Sequence, residues 1–175
     1  MTRLRFLALV AFAVLAAACV VTFGFTLQAL VDIAGCGVLV AVTVTDLERR
    51  IVPNRIIVPA LAVALVVQTA RDPSLEWILA SLAAGGFFLL AALVNPGGLG
   101  MGDVKMAAFL GAWLGTPVAV ALFAGALIAM IPALAILATR GGAGRKVGIP
   151  FAPFLAAGGV VALFFGDAIV DAWLG

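Results

Sequence analysis

Apolar runs near the length of a bilayer's hydrocarbon core dominate this chain and limit what it can fold into. Residues 6–25, FLALVAFAVLAAACVVTFGF, carry no charge, and about 20 apolar residues suffice to cross a membrane as a helix. In lipid each segment must satisfy its own backbone N–H and C=O groups, so such runs are helical. Of the 175 residues, 66% are hydrophobic and 10% are charged, which excludes an ordinary soluble domain. The expected fold is all-α: one polytopic membrane bundle of about seven helices, with no separate soluble domain.

Turn chemistry and charge divide the runs. The helices are expected over 6–25, 33–48, 55–70, 77–94, 103–114, 117–138 and from IPFAPF (149–154) to near Gly166. Asp32 reads as the N-cap of the second helix after a connection FTLQALVD. Pro53-Asn54 marks a turn, NPGGLGMG (95–102) a glycine-rich loop, and Pro132 a kink. Trp77, Trp113 and Trp173 read as interfacial anchors. Arg3 and Arg5 ahead of AAAC (16–19) resemble a signal segment with a lipoprotein-type cleavage site. The run continues past Cys19, however, and reads as an uncleaved first span. Cys19 and Cys36 lie in apolar runs and read as buried small hydrophobes.

Alternating the helices with the N-terminus inside puts nine of the ten basic residues in the cytoplasm, leaving Arg71 outside. This is a strong positive-inside pattern. It also requires two crossings over 103–139, turning at Gly115-Thr116-Pro117. One crossing would place Arg140, Arg145 and Lys146 outside.

Two loops on the inner face then carry an aspartate each: TDLERRIVPN (45–54) with Asp46, and GGLGMGDVK (97–105) with Asp103. Two neighbouring carboxylates cannot both ionise easily and can share a proton. One can deprotonate a water while the other supports a carbonyl oxygen as it becomes an alkoxide. The chain has no histidine, no Cys-x-x-Cys and no G-x-S-x-G. Paired carboxylates are therefore one of its few routes to hydrolysis, and no metal or cofactor is expected. Gly98, Gly100 and Gly102 would let an extended peptide approach the loop. Each aspartate taken singly also reads as a helix-end residue, with Asp103 as a cap and Asp46 paired to Arg49 or Arg50. A non-enzymatic transporter or assembly-platform subunit is the competing reading, but a transporter would place such groups near the bilayer midplane. The hydrolytic reading fails if Asp46 and Asp103 lie on opposite membrane faces.

Three blocks carry a resemblance: DLERRIVPN (46–54), GLGMGDVKMAAFLGAWLG (98–115) and VGIPFAPFLAAGG (147–159). In order and spacing they resemble the type IV prepilin peptidases, membrane aspartic peptidases of the GxGD type, over about 33–165. The resemblance implies a six-helix peptidase core, here preceded by one extra span. It implies catalysis by Asp46 and Asp103, with Gly100 and Gly102 as the glycines of the motif. Lys105 matches the lysine that often follows, and Pro53 and Asn54 match the positions after the first aspartate. It further implies cleavage of the basic leader of prepilin or pseudopilin-like substrates at the cytoplasmic face of the inner membrane. No nucleic-acid partner is implied. A basic leader would favour acidic contacts, which makes Glu48 a candidate leader contact; Lys105 could orient the loop, pair with an acid or extend to the surface. Longer members carry an insertion with paired Cys-x-x-Cys motifs and many also methylate the new N-terminus. This chain has no such insertion; the resemblance carries peptidase activity and leaves methylation open.

Overall fold

In a computed structural model that describes residues 2–94, 99–141 and 149–174, seven helices follow one another: α1 (Arg3–Phe23), α2 (Leu27–Arg49), α3 (Asn54–Arg71), α4 (Glu76–Val94), α5 (Met101–Leu114), α6 (Val118–Arg140) and α7 (Ala152–Leu174). There is no strand among the described residues. All but α5 are long and apolar enough to cross a membrane. The chain is thus an all-α, polytopic membrane bundle. Arg145, Lys146 and the loop around Gly98 fall outside the described residues.

The shortest helix sits at the centre. The 14 residues of α5 extend about 21 Å, short of the ~30 Å hydrocarbon core. Met106, Ala107, Phe109, Leu110, Ala112 and Trp113 of this helix are all buried. Protein surrounds α5 on several sides, so it can be short without exposing its ends to lipid. Small residues let its neighbours close in, as expected of membrane helices. A Cβ on Gly85 of α4 would lie 2.9 Å from that of Ala108, one on Gly111 would strike the backbone of Ala80, and one on Gly35 of α2 would enter the Trp113 ring. Gly158 of α7 meets the Ala121 carbonyl of α6 in the same way.

Three expectations are corrected. The second helix starts earlier than Asp32. Its N-cap is Thr26, whose hydroxyl accepts from the Ala29 N–H at 3.2 Å, and FTLQALVD is largely its first two turns. Asp32 is buried inside the helix, accepting from the Trp113 indole N–H (3.1 Å) and the Gln28 amide (2.9 Å). Trp113 accordingly is no interfacial anchor; it is 2% exposed, stacked on Phe109. A buried carboxylate needs donors, and the indole N–H supplies one. The seventh helix also runs past Gly166 to Leu174. The turn at Gly115-Thr116-Pro117 stands where expected, with Gly115 at φ +68°, a torsion that glycine adopts without strain. Both cysteines are buried and unpaired with each other.

Candidate active site

Helix α2 ends at the residue that reverses the chain. Arg50 adopts a left-handed conformation (φ 54°, ψ 40°), and its N–H donates to the Asp46 carbonyl at 2.8 Å. A non-glycine residue there is strained by roughly 1–2 kcal/mol, and the sharp reversal sends Ile51-Val52-Pro53 across the first turn of α5. Pro53 then N-caps α3, its carbonyl accepting from the Ile56 and Ile57 N–H groups.

Two contacts fasten this loop to α5. Val52 lies on Gly102 so closely that a Cβ there would sit 2.7 Å from the Val52 Cβ. One helical turn along, the Lys105 ammonium donates to the Asn54 side-chain oxygen at 2.6 Å. Of the three roles open to Lys105, the geometry fits orienting the loop, through an amide and not an acid. The glycines of the motif also have close neighbours within the chain. The space beside Gly102 is filled by the protein's own Val52, and that beside Gly100 faces the Asp103 carboxylate at 3.3 Å. The absent side chains make room for Val52 and for the Asp103 carboxylate.

Asp46 and Asp103 therefore come to the same end of the bundle. Asp103, half-buried in the first turn of α5, accepts from the Gly100 N–H at 3.3 Å, a capping arrangement that satisfies one of the helix's unpaired donors. Burial pushes its carboxyl up to about 6, against the Gly100 N–H bond, with the neighbouring Asp46 carboxylate adding to the rise. Asp46 is 6% exposed and accepts from the Ala152 N–H at 3.3 Å. Ala152 is the first residue of α7, so two helix N-termini, each carrying positive partial charge, converge on the two acids. Ala152 acts through its backbone, which a sequence does not advertise. The signal was the proline-flanked block IPFAPF: Pro153 fits the first turn, where an N–H has no helical partner. Phe151, just before, packs against Phe88 of α4.

Glu48 lies on the same end but is engaged, with both oxygens held by the Arg5 guanidinium of α1 at 3.0 Å. Neither Arg49 nor Arg50 forms a salt bridge with Asp46 among the described residues. Gly98 lies outside them.

A family model described as the type IV leader peptidase family matches residues 33–138. Among curated proteins, the prepilin leader peptidase/N-methyltransferase of Bacillus subtilis (strain 168) is 36% identical over 170 residues, covering 93% of this chain and 66% of that protein. The protein of the same name from Legionella pneumophila is 31% identical over 166 residues, covering 87% and 56%. That of Burkholderia pseudomallei (strain 1026b) is 34% identical over 164 residues, covering 87% and 52%. The chain spans about half to two thirds of the length of these relatives. No solved structure matches it.

Proposed function

The chain belongs to the type IV leader peptidase family, and from that premise we propose that it is a membrane aspartic endopeptidase. It removes the basic leader of a prepilin- or pseudopilin-like protein at the cytoplasmic face of the inner membrane. The observation that carries this reading is the placement of Asp46 and Asp103 at one end of the bundle, linked by the Arg50 reversal that lays Val52 on Gly102 in the first turn of α5.

In this reading Asp103, raised to about 6, is the proton carrier. Asp103 holds a proton and donates it to the scissile carbonyl oxygen. Asp46, ionised, takes a proton from a water as that water's oxygen attacks the carbonyl carbon. The tetrahedral intermediate collapses when Asp46 returns its proton to the leaving amine and Asp103 recovers one from a hydroxyl. The C–N bond breaks, a carboxylic acid and an amine leave, and both carboxyl groups regain their starting state. The positive ends of α5 and α7 favour negative charge on the acids and oxyanion. Pairing at the bundle end, away from the midplane, supports cleavage over transport.

The test is cleavage of a co-expressed prepilin-like substrate in cells lacking their own peptidase. Wild type should cut after the leader. Asp46→Asn and Asp103→Asn, present in the membrane at normal levels, should not. Normal cutting by either variant would remove that aspartate from the mechanism.

A further inference from the structure

Helix α1 is the least buried of the spanning helices. Its one buried residue, Cys19, lies toward the end away from the dyad, where Phe23 also stacks on Phe164 of α7. The dyad-end half has no buried residue and has a cavity on either side. One, of about 290 Å³, is walled by Leu7 and Ala8 of α1, Leu39 and Thr43 of α2, and Pro153 and Ala157 of α7. The other, of about 650 Å³, lies toward α3 and reaches Ile56. A packed interior leaves few voids larger than a water molecule, so this half of α1 is loosely seated. It is held by Phe12, which lies on Gly37 of α2, and by the exposed Arg5–Glu48 ion pair. Such a pair contributes little, and segments with few buried contacts are the ones that open at low cost.

The smaller cavity leads to the dyad. Leu39, Thr43 and Asp46 follow one another at i, i+4 and i+7 and share one face of α2. Pro153 follows Ala152, the residue whose N–H donates to Asp46. Thr43 is the one polar side chain in the lining. The loose half of α1 therefore covers an apolar groove between two spanning helices, and the groove ends at a candidate catalytic acid.

Resting on the peptidase reading, we propose that this groove is the docking site for the substrate's own membrane helix, and that the dyad-end half of α1 swings off it about Cys19 and Phe23. Depth and lining select the occupant. A groove of leucine, alanine, valine and proline inside the membrane span takes an apolar helix, and it already holds one in α1, which is headed by Arg3 and Arg5 as a leader-bearing substrate is headed by cations. A substrate helix seated there delivers the peptide bond at its head to the end of the groove where Asp46 stands.

The test joins α1 to α7 in the full chain. Ala8→Cys and Ala157→Cys line the same cavity and are bridged with a reducible bis-methanethiosulfonate, the bridge being verified by mass. Two substrates are compared: a prepilin-like protein with its membrane helix, and a soluble peptide spanning only the leader and the scissile bond. Bridging should slow cleavage of the membrane substrate at least tenfold, reduction should restore it, and peptide cleavage should stay unchanged. Arg5→Gln needs no bridge and keeps the test open if the double variant misfolds. It frees the cover, so KM for the membrane substrate should fall about two- to fivefold, the range of an exposed ion pair, with kcat and peptide cleavage unchanged. Full-speed cleavage of the membrane substrate by the bridged enzyme would leave the gap to lipid and overturns the proposal. Equal slowing of both substrates overturns it too, since the bridge would then disturb the dyad, as does a KM that does not fall in Arg5→Gln. Cleavage of neither substrate by wild type overturns the peptidase reading, and the docking site with it.

Discussion

At the scale of single residues, the two acids separate by environment. Replacing either Asp46 or Asp103 with Asn keeps shape and removes proton exchange, so cleavage should fall by roughly 10²–10⁴-fold in a peptide-release assay. The pH dependence has a definite sign. Asp103 is raised to about 6, so it keeps its proton well above the usual carboxylate range and loses it as pH climbs through that value. If the protonated form is the acid, cleavage declines on the alkaline side of about 6; a rate that climbs steadily from pH 6 to 8 would contradict the assignment. Gly102 makes a different kind of prediction. A Cβ there collides with Val52, so Gly102→Ala should cost about 1–3 kcal/mol through overpacking, measured as a lowered unfolding midpoint, and should displace the loop that carries Asn54. The presence of glycine was legible in the string, but its purpose was not. A glycine looks the same whether a substrate or the chain's own valine fills the space.

At the scale of elements, most helices could be placed because apolar length alone forces helix in lipid. The start of α2 could not. Gln28 and Asp32 are polar, and polar residues before an apolar run look like a loop and a cap. Their reason for lying inside a helix is tertiary: Asp32 meets Trp113, 81 residues away, and Gln28 holds Asp32 and Arg71. The same pairing explains why Trp113 misled, since tryptophan is common at membrane interfaces and a buried one is distinguished only by its partner. Gln68 adds to the contact by donating to the Trp113 carbonyl at 2.6 Å, so α2, α3 and α5 are joined there. Trp113→Phe would remove one of the two donors to the buried Asp32 Oδ1, leaving only the Gln28 amide. It should destabilise the protein by about 1–3 kcal/mol, seen by thermal unfolding in detergent, with the dyad chemistry unaltered once the chain is folded.

At the scale of the whole molecule, charge asymmetry supplies the orientation. Arg3, Arg5, Arg49, Arg50, Arg55, Lys105 and Arg140 lie at the dyad end, and Arg71 lies at the other. With the dyad end inside, a cysteine placed at position 72 should react with a membrane-impermeant maleimide in intact cells. One placed at position 55 should react only after permeabilisation. Cys19 and Cys36 are buried and should contribute little background. The reverse pattern would invert the topology. The pairing of helices was legible because basic loops and short turns allow only an up-and-down path. That a 14-residue helix forms the centre was not, because its burial depends on neighbours from α2, α3, α4, α6 and α7 that the string does not bring together.

The contact between Asp32 and Trp113 has one more consequence. It fixes a zero point from which both catalytic candidates are counted, fourteen residues along α2 to Asp46 and ten back along α5 to Asp103. Adding one residue to either stretch would swing its carboxylate about 100° around the helix and 1.5 Å along it. The two stretches work as a pair of rulers, and evolution can lengthen the loops of such a protein freely while being unable to change either scale without losing the mark where the two readings coincide.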